Sequence, residues 1–167
     1  MKKLLKAAFA MAMVLGFAGG AYAGSYTQGM DVKADVQSPY TVGIISALDF
    51  GSFDNSVAGT VPAAGQIIVK APNGANYNVT IDAGMHYSGT RQVNFAGEYM
   101  AYNIYQDAAN TIEWGDSGFG DTYTAGSALA GTGTGADEPY TVYGVLTKNT
   151  NAPSGLYADV VNVTVNW

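Results

Sequence analysis

The chain has 167 residues, a formal charge of −6, and no cysteine. An acidic chain of this kind is a poor partner for nucleic acid or for an anionic membrane surface, because both are bound through clustered Lys and Arg. Without cysteine, and with one histidine, the sequence cannot supply a disulfide or the ligands of a structural zinc site.

Residues 1–23 are predicted to be a cleavable signal peptide. Three lysines precede an apolar run over residues 7–18, and Ala21-Tyr22-Ala23 has the small-x-small cleavage pattern. The run is shorter than the roughly 20 apolar residues that a membrane-spanning helix needs. Cleavage would leave an exported chain of 144 residues, enough for one domain, with four basic residues against thirteen acids and a formal charge of −9.

The predicted mature chain begins with a strand-like segment. Its apolar residues are Met30, Val32, Ala34 and Val36, and they alternate with Asp31, Lys33 and Asp35. This period predicts a strand with one face for burial. Residues 24–36, called the arm below, would span about 43 Å when extended at roughly 3.3 Å per residue. The arm is therefore a candidate connector between subunits, and the alternative is an ordinary first strand paired within its own domain.

The rest of the chain has the periodicity of strands and no convincing helix. Strands are predicted at 42–45, 48–50, 65–69, 77–81, 100–105, 140–146 and 161–167. Gly and Pro mark the turns between them, while residues 117–135 indicate a loop or a weak edge strand. Many short strands with such turns predict an all-β sandwich or a barrel.

No catalytic constellation, cofactor site or metal site is predicted. His86 lies in a Gly-bounded turn and is expected to be a solvated loop residue rather than a general base. Glu113, Asp116 and Asp121 could offer oxygen ligands to calcium, but solvated loop carboxylates are the simpler interpretation in so acidic a chain. The twelve tyrosines leave carbohydrate binding as a third-ranked hypothesis.

The last strand is compatible with two architectures. Val161, Val163, Val165 and Trp167 alternate with polar residues, as strands of outer-membrane β-barrels do. Barrel strands need about 9 to 11 residues, whereas the alternation here usually stops after five to seven. A sandwich with an exchanged strand is therefore favoured over an outer-membrane barrel.

Several short motifs occur in a recognisable order. They are LDFG at 48–51, NYNVTIDAG at 76–84, YNIYQD at 102–107, WGD at 114–116, YGV at 143–145 and GLYADVVNVTV at 155–165. In order and spacing, these motifs resemble the spore coat protein U domain family, which includes major pilins of archaic chaperone–usher pili. The resemblance extends over nearly the whole predicted mature chain.

The resemblance implies an incomplete immunoglobulin-like β-sandwich over residues 37–167 that lacks its last strand. A periplasmic chaperone would first fill the vacant groove, and the arm of the next subunit would then replace it by β-strand addition. The implied donor residues are Met30, Val32, Ala34 and Val36, and the implied acceptor wall is Val161, Val163, Val165 and Trp167. Family members commonly have a disulfide near the positions of Tyr40 and Ala71, which this chain lacks.

The implied function is that of a pilus subunit without an active site. It would form homopolymeric surface fibres for adhesion or biofilm formation, with help from a chaperone and an outer-membrane usher. A spore or surface coat protein of the same fold remains the alternative within the family.

Overall fold

A computed structural model describes residue 28, residues 30–34 and residues 39–167 of the chain. The predicted signal peptide and the arm residue Val36 lie outside these described residues. The chain divides after Asp35 into two units, and the second unit, Val36–Trp167, contains the folded domain.

The described residues form eight strands. They are β1 (Thr41–Ser46), β2 (Thr60–Lys70), β3 (Asn76–Ile81), β4 (Arg91–Phe95), β5 (Glu98–Tyr105), β6 (Leu129–Thr132), β7 (Asp137–Thr147) and β8 (Val163–Asn166). Across residues 28, 30–34 and 39–167, no helix is long and apolar enough to cross a membrane.

The strands form two antiparallel sheets that face each other across the core. One sheet has five strands in the order β1-β2-β7-β5-β4, and the other has three in the order β6-β3-β8. Alternate residues point inward from both sheets, so that Val69, Val79 and Ile104 are almost completely buried. The predicted all-β sandwich is confirmed.

Trp114 connects the two sheets from a segment between β5 and β6. Its indole is fully buried, and its Nε1 donates a hydrogen bond to the Val79 carbonyl at 2.8 Å. Gly115 follows directly, and a Cβ there would lie 2.5 Å from the carbonyl oxygen of Gly126. The Trp-Gly-Asp motif therefore combines a large core side chain with a position where two backbone segments touch.

Most of the predicted strands are present. The segments 42–45, 65–69, 77–81, 100–105 and 140–146 lie within or overlap β1, β2, β3, β5 and β7, and β6 is the edge strand inside residues 117–135. The predicted strand at 48–50 is wrong, because the β1 pairing shifts register between Ile44 and Ser46 and the chain then leaves the sheet. Strand β4 was not predicted, and β8 begins at Val163 rather than at residue 161.

Leu48 packs over the five-stranded sheet instead of pairing with it. A Cβ on Gly144, in the middle of β7, would lie 2.6 Å from Leu48 Cδ2. The glycine of the YGV motif thus makes room for the leucine of the LDFG motif, which explains why both motifs belong to one packing arrangement.

Candidate subunit-binding groove

A groove of about 940 Å³ opens between the two sheets. Apolar residues of the five-stranded sheet form one wall, namely Ile67, Val93, Met100, Ile104, Val142 and Leu146. The opposite wall contains Ile81, Val161 and Val163. Apart from Val161, which precedes β8, these residues occupy inward-facing strand positions, which a sandwich normally covers with another strand.

The groove is open because the three-stranded sheet stops at a short edge strand. Strand β8 has four residues and pairs with β3 along one side. The groove is bordered on its other side by the segment 47–55, which follows β1 and has left the five-stranded sheet. An unpaired sheet edge next to an uncovered apolar wall is a template for an added strand.

The four predicted acceptor residues occupy three different environments. Val161 and Val163 line the groove, whereas Val165 is packed into the closed core with 8% of its surface exposed. Trp167 is 73% exposed, and its ring stacks on Tyr40 at a centroid distance of 4.5 Å. The structure therefore places two of the four residues at the groove.

Three of the predicted donor residues are described, and all three are exposed. Met30 and Val32 expose 84% and 83% of their surface, and Ala34 is also exposed. Residues 30–34 are not part of a strand in the single chain. Large apolar side chains with this exposure lose favourable burial unless a partner covers them.

A buried polar cluster forms part of the groove lining. Asp159, whose side chain is 2% exposed, accepts a hydrogen bond from the Tyr102 hydroxyl at 2.6 Å and lies 2.9 Å from His86 Nδ1. Burial, together with the hydrogen bond to Asp159, raises the pKa of Tyr102 well above its usual value, so the phenol stays a donor. His86 lies in a loop, as expected, but it is not freely solvated. Its side chain is 31% exposed, its ring contacts Asp159, and its backbone N–H donates to the same carboxylate.

Asn55 contributes a second polar feature to the groove lining. Its Nδ2 donates to the carbonyls of Asn149 and Ala152, which fixes the orientation of the amide. Its Oδ1 is buried and has no hydrogen-bond partner among the described residues. A buried acceptor without a partner is costly, so this amide is a local weak point of the fold.

Arg91 supports the groove wall through a hydrogen bond to the carbonyl of Ile81, a residue of the groove lining. This role was not identified from the sequence. The residue is fully buried, and its guanidinium donates to the backbone carbonyls of Ile81 and Trp114, while its Nε donates to Asp82. The guanidinium carbon also lies 3.8 Å from the centroid of the Tyr123 ring. Desolvation lowers the pKa of Arg91, although an arginine remains charged over the ordinary pH range.

The acidic loop is built by hydrogen bonds within the protein. Asp116 is 4% exposed and accepts bonds from the Thr122 hydroxyl at 2.7 Å and from the Tyr123 N–H at 2.6 Å. Asp121 accepts from Gly118, and Glu113 accepts from the Tyr123 hydroxyl. The interpretation of all three as solvated carboxylates is wrong for Asp116. Within residues 28, 30–34 and 39–167, no cluster of three or more metal-ligating side chains could hold an ion.

Asp116→Ala is expected to lower the free energy of unfolding by about 2–3 kcal/mol, because it leaves the buried N–H of Tyr123 unpaired. Burial raises the pKa of Asp116, but hydrogen bonds from Thr122 and Tyr123 outweigh burial and hold it below 3.8. A carboxylate whose pKa is lower in the folded state than in the unfolded state stabilises the fold at pH values above its unfolded-state pKa. This stabilisation is lost as the pH falls through its folded-state pKa.

Urea unfolding of the wild type and of Asp116→Ala, at near-neutral pH and at several values below pH 3.8, measures this effect. The difference between the two proteins should shrink toward the acidic end. A difference that stays constant with pH would contradict the role given to the carboxylate.

The sequence matches the family model described as the Spore Coat Protein U domain over residues 26–164. The chain belongs to this family. Among curated proteins, "Protein U" of Myxococcus xanthus is 27% identical in an alignment 164 positions long, which covers 88% of each protein. The match confirms the family inferred from the LDFG, WGD and Gly-x-Tyr-x-Asp motifs.

Two solved structures are similar to this Spore Coat Protein U domain chain. The P pilus rod subunit PapA is 16% identical, with a TM-score of 0.53 over 77% of this chain and 99% of that one. A second similar structure is the CsuC-CsuE chaperone–tip adhesion subunit pre-assembly complex from archaic chaperone-usher Csu pili of Acinetobacter baumannii. There the identity is 18% and the TM-score 0.47, and the match covers 77% of this chain but 40% of that one. The first likeness supports the pilin-like, immunoglobulin-type sandwich.

Proposed function

We propose that this protein is a structural pilus subunit that polymerises by donor-strand exchange. The arm of one copy, through Met30, Val32, Ala34 and Val36, fills the groove of the next copy. The observation that carries the proposal is that one chain has both a groove that lacks a strand and a strand-like arm that lacks a partner. An apolar groove is open beside the edge strand β8, and the described apolar residues of the arm, Met30, Val32 and Ala34, are exposed.

The chemistry of the groove fits an extended apolar strand. Ile104, Val142 and Val163 offer apolar surface to alternate side chains, and the edge of β8 offers backbone groups for a ladder. A charged or strongly polar ligand would leave the apolar walls unsatisfied, so a hydrophobic β-strand is the better occupant.

The proposal includes the partners that such a subunit needs before it polymerises. A periplasmic chaperone holds the groove until an outer-membrane usher passes the subunit to the growing fibre, which ends at the cell surface. This route agrees with the predicted signal peptide over residues 1–23 and with the predicted domain boundary after residue 36. It assigns the chain a structural role rather than an enzymatic one, with adhesion or biofilm formation as the use of the fibre.

A coat-forming use of the same polymer is the second candidate. It is favoured by the family description and by the match to "Protein U", which extends over 88% of both chains. Both candidates require a subunit that assembles with copies of itself, and they differ in whether the product is a free fibre or a surface layer. Electron microscopy of the exported protein separates them.

Disulfide cross-linking tests the exchange directly, because the natural chain has no cysteine to interfere. The double variant Val32→Cys with Val163→Cys should give a ladder of covalent multimers on a non-reducing gel when fibres have formed. As a matched control, Val32→Cys with Lys70→Cys places the second thiol on an exposed residue outside the groove lining and should give no ladder.

Register decides which groove position lies opposite Val32, so Val161→Cys and Ile44→Cys are tested in parallel with Val163→Cys. A ladder from at least one of the three, and none from the control, supports exchange between subunits. Cross-linked monomers instead of multimers would show that the arm fills its own groove, and the proposal would then be rejected.

A further inference from the structure

A stacked aromatic pair, half-buried Tyr40 and exposed Trp167, lies where the folded domain joins the predicted arm. Tyr40 immediately precedes β1, and Trp167 immediately follows β8. The two rings stack nearly parallel, with centroids 4.5 Å apart and an interplanar angle of 5°. Trp167 nevertheless remains 73% exposed, so a large aromatic surface faces solvent in the single subunit.

Covalent geometry keeps this pair close to the neighbouring subunit in a fibre. Four residue steps separate Val36 from Tyr40, and each step spans at most about 3.6 Å, so the two Cα atoms are within about 14 Å in any conformation. If Val36 is bound in the groove of the next copy, Tyr40 and the Trp167 ring stacked on it must lie near that copy's surface. This step rests on the proposed function.

We infer that the Tyr40–Trp167 pair packs against the acceptor subunit and forms a second contact between successive copies of this chain. The acceptor offers a matching surface at the rim of its groove, where Ile44, Val160 and Leu156 line the opening and are 62%, 58% and 84% exposed. This apolar rim is continuous with the site that binds the arm.

The chemistry of the pair suits a contact between proteins. Aromatic side chains are enriched in the buried centres of protein interfaces, where they supply a large apolar area with few rotatable bonds. Tyr40 already holds the Trp167 ring in one orientation, so little further ordering is needed when the ring is covered. The contact limits how far one subunit can swing relative to the next around the short connection at residues 37–39.

Acrylamide quenching of tryptophan fluorescence tests the contact in fibres of the exported protein. The chain has two tryptophans, and Trp114 is fully buried, so the quenchable signal belongs to Trp167. Fibres of the Trp167→Phe variant provide the Trp114 background. Because the centre of an interface excludes water, we expect the quenching constant of Trp167 in fibres to be roughly threefold below that of N-acetyltryptophanamide.

The outcomes separate this inference from the proposed function. Fibres in which Trp167 is quenched as readily as the free compound would overturn the inference and leave donor-strand exchange standing. A wild-type protein that forms no fibres would overturn both.

The flexibility of the fibres gives a second measurement. Trp167→Ala should still assemble, since the arm and the groove are unchanged, but its fibres should have a persistence length about twofold shorter in electron micrographs. Phe119→Ala is the matched control, because Phe119 is an exposed aromatic residue in the loop between β5 and β6. Equal persistence lengths for the wild type and Trp167→Ala would count against the contact.

Discussion

Arg91→Ala is expected to lower the free energy of unfolding by about 3–5 kcal/mol, which is a large part of the roughly 5–15 kcal/mol that stabilises a domain. The substitution removes three donors at once and leaves the carbonyls of Ile81, Asp82 and Trp114 without them. It also opens a cavity beside the Tyr123 ring. Urea unfolding of the purified subunit measures the loss.

Two further variants show whether the stabilisation by Arg91 comes from the planar set of guanidinium N–H donors or from the positive charge. Arg91→Lys keeps the charge but cannot reach three carbonyls in one plane, so we expect a loss between those of the wild type and the alanine variant. Lys70→Ala removes an exposed basic side chain at the end of β2 and should change stability by less than about 0.5 kcal/mol. If Arg91→Ala unfolded at the same urea concentration as Lys70→Ala, the role given to Arg91 would be wrong.

The importance of Arg91 could not be predicted from the sequence. Its hydrogen bonds go to backbone carbonyls that lie 9, 10 and 23 residues away along the chain, and carbonyls leave no sequence signal. Strand β4, which begins at Arg91, was missed for a related reason. A charged residue at the start of a short segment suggests a surface loop, although here it points into the core.

The general architecture, in contrast, is determined by local periodicity. Alternation at Tyr77, Val79 and Ile81 identifies β3 and its buried face, since side chains in a strand alternate sides every residue. Periodicity identifies which residues of a strand face the core, but it does not show which of them another part of the domain covers. Val161, Val163 and Val165 follow one period, yet the first two line the open groove and the third is buried against the opposite sheet.

Long-range polar contacts set another limit to prediction from the sequence. His86 and Asp159 are 73 residues apart and meet because the segment before β8 passes the loop after β3. The Gly-x-Tyr-x-Asp motif at residues 155–159 draws attention to Asp159. Its partners Tyr102 and His86 can be identified only in the folded structure. The same holds for the Tyr40–Trp167 stack, which joins the two ends of the domain.

Val32→Asp is expected to abolish fibre assembly. Burying a valine in an apolar groove contributes about 1.5–3 kcal/mol, and a carboxylate placed there instead adds a penalty of several kcal/mol. A combined loss of about 5 kcal/mol at each junction corresponds to a weakening of more than about 1,000-fold, since 1.4 kcal/mol is a factor of ten. Every junction of the fibre carries the same substitution, so long polymers should be lost.

Asp31→Ser is the matched control on the same segment. Asp31 is exposed and lies on the polar face, where its carboxylate is 3.7 Å from the Lys33 amine in a solvated ion pair. Exposed pairs of this kind contribute at most about 1 kcal/mol. The substitution also removes one negative charge from an acidic protein, so the subunit should assemble nearly as well as the wild type.

The most direct test of the account is the yield of fibres from cells that export the wild type, Asp31→Ser or Val32→Asp at equal levels. Fibres are sheared from the surface, pelleted, quantified on gels and counted in electron micrographs. We expect similar yields for the wild type and Asp31→Ser, and a fibre fraction near background for Val32→Asp. Equal fibre yields from the two variants would contradict the claim that the apolar face of the arm completes a neighbouring subunit.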